Sequence, residues 1–132
     1  MRDEQVRRYA RHILLPDVGG LGQTALLVAA ARMELRESEP EAELIAAQYL
    51  AAGGVGTLEI RGASDAQIEA LSAHGPDTTI VTEQAPHVAK TVELVLHPRP
   101  AWWPSAPGDA LALAYWRGSI AATQWMAPIA NA

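Results

Sequence analysis

The fold is decided by residues 38–60, SEPEAELIAAQYLAAGGVGTLEI. Ser38 with Glu41 three residues later forms a capping box, which predicts a helix that begins there. Gly53-Gly54 end the helix, because glycine accepts the left-handed backbone that a helix terminus often needs. Thr57 to Ile60 has the short apolar pattern of a strand. A helix that leads through a glycine turn into a strand indicates an α/β fold.

Composition indicates one globular domain. The chain has 132 residues, of which 49% are hydrophobic and 19% charged, enough for a single core. Its net charge of −5 disfavours non-specific binding to nucleic acid or to an anionic membrane. The absence of cysteine excludes disulfides, thiolate metal sites and a thioester-forming nucleophile. A charged N-terminus and short apolar runs predict neither a signal peptide nor a membrane span, and therefore a cytoplasmic protein.

The N-terminal segment is predicted to be an amphipathic helix. Apolar residues recur at helical spacing, Asp3 is available as the N-cap, and the helix should stop before Pro16. Its opposite face is basic and carries Arg7, Arg8 and Arg11. The glycines of residues 19–22, GGLG, are interpreted as a turn, because no strand precedes them as a dinucleotide-binding fingerprint requires.

The rest of the chain is predicted to alternate between strands and helices. The predicted elements are a strand or helix–strand pair in 25–35, a helix capped by Ser64 or Asp65 and broken at Gly75-Pro76, strands at 78–82 and within 88–96, and a strand at 110–114 followed by a helix that Pro128 ends.

Two further groups of residues are candidates for binding. The Pro-rich segment 98–108 carries Trp102 and Trp103, interpreted either as a lid over the core or as an anchor for a partner, because tryptophan is enriched at binding hot spots. The four histidines, at positions 12, 74, 87 and 97, lack the spacing of a metal site, and no metal site is predicted.

Two segments resemble the ThiF/MoeB/HesA family, bacterial relatives of ubiquitin-activating enzymes that adenylate the C-terminus of a small carrier protein. Residues 8–26, RYARHILLPDVGGLGQTAL, are similar to the family's opening pattern R-Y-x-R-x-I-L-L followed by G-Q-x-x-L. Residues 47–60, AQYLAAGGVGTLEI, are similar to its first Rossmann helix and second strand. The resemblance implies one ThiF-like domain over residues 1–132, with an N-terminal helical arm at about 3–24. It further implies a trimmed Rossmann-like α/β sandwich, in which a mostly parallel sheet of four or five short strands has helices on both faces.

The ATP-binding loop of that family is replaced here. Ser38, Pro40 and Glu43 stand where the family has the three glycines of G-x-G-x-x-G. Proline removes one amide donor, and Glu39, Glu41 and Glu43 place carboxylates where a phosphate would lie. At about 5 Å and an effective dielectric near 20, each such charge pair repels by about 3 kcal/mol.

Other family features are also absent from the matching positions. Arg61 follows the second strand where the family has ribose-binding acidic residues, and residues 97–99 replace the aspartate that helps to hold magnesium. The family's N-L-x-R-Q motif does not occur in the chain. The resemblance with these departures favours a non-catalytic protein without a cofactor.

The protein is expected to act as a homodimer, or as a scaffold or regulatory partner of a carrier-protein-activating enzyme. Arg11, with Arg8 nearby, matches the arginine that in family dimers reaches across to the neighbour's ATP. One alternative is an active adenylyltransferase that uses ATP and magnesium to activate the C-terminus of a ubiquitin-like or sulfur-carrier protein. Another is a binding module for a small carrier protein or peptide, with Trp102 and Trp103 as its contact residues.

Overall fold

The centre of the structure, a computed structural model that describes residues 1–36, 40–82, 91–103 and 109–131, is a four-stranded parallel sheet. Its strands are β1 (Ala30–Glu34), β2 (Thr57–Arg61), β3 (Thr79–Val81) and β4 (Thr91–Glu93), in the spatial order β3-β2-β1-β4. The predicted trimmed Rossmann-like α/β fold is confirmed, because every strand pair is parallel and helices flank the sheet.

Six helices accompany the sheet in the described part of the chain. They are α1 (Asp3–Arg8), α2 (Ala10–Ile13), α3 (Gly19–Leu27), α4 (Glu41–Ala52), α5 (Asp65–His74) and α6 (Asp109–Ala130). Helix α4 connects β1 to β2 and α5 connects β2 to β3, as parallel neighbours require a crossover. Helices α4 and α6 pack against each other along most of their length. No described helix is long and apolar enough to cross a membrane.

The two faces of the sheet differ in character, because successive side chains of a strand point to opposite sides. One face is apolar: Ala31 and Met33 lie beside Leu58 and Ile60 in register, and all four belong to the core. Helices α3, α4, α5 and α6 all contribute side chains to that same core. The predicted helices are therefore found on this face of the sheet.

The other face is charged. Arg32 lies opposite Glu59 in register, and its Nε donates to Glu59 Oε2 at 3.2 Å. Arg61 extends toward Glu59 Oε1 at 3.6 Å, and Glu34 and Glu93 continue the same row. This face therefore carries charged side chains, and the pair Arg32–Glu59 between neighbouring strands supports the sheet modestly.

Several local predictions are confirmed. Ser64 caps α5: its hydroxyl accepts from the backbone N–H of Gln67, whose side-chain oxygen accepts from the backbone N–H of Ser64. Gly54, with φ +84°, follows the end of α4. Residues 25–35 form the predicted helix–strand pair, and the strand predicted at 78–82 is β3.

The interpretation of residues 19–22 as a turn is wrong. These glycines begin α3, and Gly19 has a left-handed φ of +63° at its start. Gly22 is required for packing, because an added Cβ would lie 2.5 Å from the backbone oxygen of Ala130 in α6. The contact that determines the helix is therefore remote in sequence.

The strand predicted at 110–114 is also wrong, because α6 is one helix over that stretch and through Pro128, which lies in its last turn. Alanine and leucine are good helix formers, and Ala114 is buried against Ala42 and Ile45 of α4. The packing partner overrides the alternating pattern of the sequence.

Two helices begin at residues other than those predicted. Helix α1 has Arg2 rather than Asp3 as its N-cap and ends at Arg8, and Tyr9 separates it from α2, which begins at Ala10. Helix α4 begins at Glu41 with Pro40 as its N-cap, instead of including Pro40 in its first turn. The predicted cap Ser38 lies outside the described residues.

Candidate functional site

The order of the strands defines where a ligand would bind in this fold. The chain leaves β1 for β2 and β3, and then returns to β4 on the other side of β1. In open α/β sheets ligands bind at the carboxyl ends of the strands beside such a switch point. A cavity of about 230 Å³ lies there, which we call the switch-point crevice. Its lining residues are Met33, Glu34, Arg36, Glu43, Glu93, Leu94, Val95, Leu96 and Arg117.

The amino terminus of α4 points a carboxylate of the protein itself into this crevice. Glu43 is the third residue of α4, is 5% exposed, and accepts a hydrogen bond at Oε2 from the backbone N–H of Arg36 at 3.1 Å. A helix N-terminus carries partial positive charge and favours an anion. Glu43 is one of two acidic residues in this first turn, and the N-cap Pro40 has no N–H to offer to an anion.

The remaining charges of the crevice are paired within the protein. Arg36 lies 3.2 Å from Glu34 and 3.7 Å from Glu93. Arg117 donates from Nε to the backbone oxygen of His97 at 2.7 Å. The three carboxylates of the crevice outnumber its two guanidinium groups, so its charge is unfavourable for a polyanion.

The residues that the structure describes around the crevice were compared with the requirements of a metal site. His97 is exposed, and its Nε2 contacts the side chain of Gln124. Within residues 1–36, 40–82, 91–103 and 109–131, no group of three or more His, Asp or Glu side chains is placed to hold a metal ion.

Arg8 is bound to the body of the protein at the other end of the sheet. It forms an ion pair with Asp77, which immediately precedes Thr78 and β3. The carboxylate of Asp77 is 3% exposed and also accepts from Tyr9 Oη at 2.8 Å, Arg2 at 3.0 Å and Gln5 Nε2 at 3.2 Å. We call these five residues the Asp77 clasp. It fastens α1 to the amino ends of the strands, away from the switch-point crevice.

The clasp shifts the ionisation of its members. Burial alone would raise the pKa of Asp77, but hydrogen bonds from Tyr9, Arg8 and Gln5, with the charge of Arg8, outweigh burial and hold that pKa below its ordinary value. Burial and the bond to the Asp77 carboxylate raise the pKa of the Tyr9 hydroxyl to about 12. Both shifts favour the ionised carboxylate and the neutral phenol that the clasp needs.

Beside the clasp, a second polar contact fixes the arm. Gln23 is fully buried, donates from Nε2 to the backbone oxygen of Gly53 at 3.0 Å, and lies 3.0 Å through Oε1 from His12 Nδ1. Tyr9 packs on Gly54, where an added Cβ would lie 2.8 Å from its ring. The arm is therefore held through specific polar groups, while Leu14 remains 82% exposed.

Arg11 differs from Arg8. It is exposed on α2 and, among the described residues, has no ion pair. The structure does not bring either arginine together with the crevice of its own chain. Arg11 is left accessible to another molecule, whereas Arg8 has a structural role in the clasp.

Trp102 and Trp103 pack on α6 rather than over the sheet. Their ring centroids lie 5.8 and 5.9 Å from that of Trp116, and Arg99 donates to the backbone oxygen of Trp103 at 3.1 Å. Trp102 is 69% exposed, and neither residue belongs to the core.

Sequence reasoning missed Asp77 as an organising residue. An aspartate after proline in a turn ordinarily bonds nearby backbone amides, which gave no reason to look further. Its partners lie 68 to 75 residues away in sequence, so only the placement of α1 reveals them. Compared with known proteins, the sequence matches no family model, and no curated protein matches it.

Proposed function

We propose that the chain is a non-catalytic relative of the ThiF/MoeB proteins that acts as a homodimer, or as a scaffold or regulatory partner of a carrier-protein-activating enzyme. The observation that carries the proposal is the buried Glu43 carboxylate at the amino terminus of α4, hydrogen-bonded to the backbone of Arg36. A phosphate would have to displace that carboxylate to reach the helix terminus.

The size of the switch-point crevice supports the same conclusion. Pockets for drug-sized ligands and cofactors usually measure about 300–1,000 Å³. The crevice measures about 230 Å³, which is small for a nucleoside triphosphate. Its charge acts in the same direction, because a phosphate at about 5 Å from a carboxylate is repelled by about 3 kcal/mol at an effective dielectric near 20.

The proposed interaction with a partner rests on Arg11 in the N-terminal arm. Arg11 is exposed and without an ion pair in the described residues, so a partner can use its charge. An arginine provided by one subunit to a nucleotide on another stabilises developing phosphoryl charge in other enzymes. Arg11 therefore favours a role at a partner's nucleotide site over one at its own.

The experiment mixes this chain with a full-length ThiF/MoeB-like enzyme and measures light scattering and adenylation of the carrier. We expect a mixed complex, and we expect Arg11→Ala to reduce the stimulation of adenylation while Arg7→Ala, an exposed arginine of the same arm, leaves it unchanged. A thermal shift of this chain alone with ATP and magnesium should be absent, since only a ligand that binds the folded state raises its stability. A concentration-dependent thermal shift would overturn the non-catalytic proposal, and no complex would overturn its heteromeric form.

A further inference from the structure

A second cavity, of about 610 Å³, lies between the N-terminal arm and the carboxyl ends of α4 and α6. We call it the arm pocket. Side chains from segment 12–18 line one side of it, and the C-terminal parts of α4 and α6, with Leu26 of α3, line the rest. It shares no lining residue with the switch-point crevice. Its volume falls within the ~300–1,000 Å³ that is usual for small-molecule sites, whereas that of the crevice does not.

Much of the lining is apolar. Val18, Leu26 and Met126 contribute to it, and the unbranched, polarisable side chain of Met126 can adapt to the shape of a ligand. Leu15 and Tyr49, which are 52% and 44% exposed, also line the pocket. A ligand with an apolar body would therefore remove from water apolar surface that the chain itself leaves exposed.

The carboxyl ends of two helices meet at the arm pocket. Helix α4 ends at Ala52 with Gly53 as its C-cap, α6 ends at Ala130, and all three residues line the pocket. The unpaired carbonyl groups of a helix C-terminus carry partial negative charge and favour a cation. Neither helix has a basic residue in its last turn. The cation that these helix ends favour is therefore not supplied by their own side chains.

The charged side chain of the lining has the same sign as the helix ends. Asp17 is exposed and, in the part of the chain that the structure describes, has no ion pair. No lysine or arginine is among the residues that line the pocket in the described ranges. An organic anion would meet Asp17 and the helix carbonyl groups without a counter-charge, whereas an organic cation would be attracted by both.

The hydrogen bonds of His12 make its ring a further acceptor. Gln23 donates from Nε2 to the backbone oxygen of Gly53, which turns its Oε1 toward His12 Nδ1 at 3.0 Å. Because an amide oxygen only accepts, Nδ1 carries the hydrogen, and Nε2 of the neutral ring is left with a lone pair. Tyr9 stacks on the same ring, with centroids 6.0 Å apart. The histidine that lines the pocket is thus held in the tautomer that accepts from an N–H donor.

We propose that the arm pocket binds a small organic cation, a molecule with an apolar body and a protonated amino group. The apolar body would pack on the aliphatic and aromatic lining. The ammonium group would be attracted to Asp17 and to the two helix ends and could donate to His12. This site goes beyond the proposed function, because it does not involve the crevice or its nucleotide chemistry.

Methionine methyl groups report on the two cavities separately. Of the chain's three methionines, Met126 lines the arm pocket and Met33 lines the switch-point crevice. NMR of isotope-labelled methionine methyl groups would follow titrations with phenylbutylamine, phenylbutanol and phenylbutyrate, which share one apolar body and differ in charge. We expect phenylbutylamine to shift Met126 saturably and to leave Met33 in place, with an affinity at least about tenfold above that of phenylbutyrate. No saturable shift of Met126 up to millimolar phenylbutylamine, or equal affinity for phenylbutyrate, would overturn the proposal.

Two variants test which features of the pocket the cation uses. Asp17→Asn should weaken phenylbutylamine about two- to fivefold and leave phenylbutanol unchanged, since an exposed ion pair contributes modestly. Asp65→Asn, an exposed aspartate of α5 outside the pocket, should change neither. Ala127→Leu, which adds volume to the lining, should weaken both probes, with circular dichroism confirming that the variant is folded.

Each outcome decides between separate claims. Binding of phenylbutylamine that neither Asp17→Asn nor Ala127→Leu weakens would refute the arm pocket as a cation site. ATP with magnesium that shifts Met33 would remove the non-catalytic proposal and leave the arm pocket standing. An unmoved Met126 with phenylbutylamine would remove the arm pocket alone.

Discussion

Replacing Asp77 by asparagine should loosen the N-terminal arm from the body of the protein. The carboxylate is 3% exposed and accepts hydrogen bonds from Tyr9, Gln5, Arg2 and Arg8. Asparagine keeps one acceptor oxygen but turns an NH₂ group toward the remaining donors.

The size of the effect follows from which bonds are shielded from water. A hydrogen bond to a charged group contributes about 1.5–3 kcal/mol, and Tyr9, at 1% exposure, is the most shielded donor. The side chains of Arg2 and Arg8, at 70% and 35% exposure, can be solvated instead and add little. We therefore expect Asp77→Asn to lower the free energy of unfolding by about 2–4 kcal/mol, a large share of the ~5–15 kcal/mol of an ordinary domain.

Urea denaturation followed by tryptophan fluorescence measures this loss, and hydrogen exchange locates it. Amides of α1 and α2 should lose protection before those of α4 and β2. Asp65→Asn is the matched control: Asp65 is exposed in the first turn of α5, and its loss should cost about 0.3–1 kcal/mol. If Asp77→Asn costs no more than Asp65→Asn, the clasp does not fasten the arm.

The stability difference between the native chain and Asp77→Asn should depend on pH. The pKa of Asp77 is lower in the folded protein than the ordinary value of 3.8. Its contribution is therefore complete above that ordinary value and is lost as the pH falls through the folded-state pKa. The stability difference between the native chain and Asp77→Asn should shrink over this acidic range. A difference that stays constant there would contradict an ionised Asp77 as the centre of the clasp.

Further predictions concern Tyr9 and two glycines. Tyrosinate absorbance should show Tyr9 ionising at about pH 12, a phase absent from Tyr9→Phe, and the stability that its neutral phenol provides should decline as the pH rises above the ordinary tyrosine value of 10. If the phase that Tyr9→Phe lacks lies at that ordinary value instead, the bond to Asp77 is contradicted. Gly118→Ala should cost about 1–3 kcal/mol by urea denaturation, because the added Cβ would lie 2.5 Å from the backbone oxygen of Ala42 where α6 crosses α4. Gly20→Ala, whose Cβ meets nothing within 4 Å, should leave stability unchanged or raise it by up to about 1 kcal/mol at low protein concentration. Equal effects of the two glycine substitutions would show that the close contact at Gly118 is not rigid.

The parts of the fold that depend on neighbouring residues were predictable from sequence. The cap of α5, predicted at Ser64 or Asp65 and found at Ser64, and the left-handed glycine after α4 both act within a few residues. The role of Gly22 was predicted wrongly, because the group that leaves no room for a side chain there is the backbone of Ala130 in α6. Residues 110–114 were misread because alternating alanine and leucine suit either a strand or a helix, and the contact with α4 selects the helix.

The features of the candidate site likewise include some that the sequence predicted and some that it did not. The acidic start of α4 was visible in the sequence, but the depth of Glu43 and its bond to Arg36 were not. Arg8 and Arg11 are equally basic neighbours in the sequence, and only the position of Asp77 separates a structural arginine from an accessible one. Charge and local pattern can be identified from a sequence, whereas a contact with a residue far along the chain becomes known only from the fold.

Calorimetric titration of the native chain with ATP and magnesium tests the central claim most directly, with Glu43→Gly as the companion variant. If the carboxylate of Glu43 occupies the place of a phosphate, the native chain should release no saturable heat. Glu43→Gly, which removes the carboxylate and frees the backbone N–H of Arg36, should bind no more weakly than the native chain. Saturable binding by the native chain would show that the crevice accepts the nucleotide with Glu43 in place, and would contradict the account.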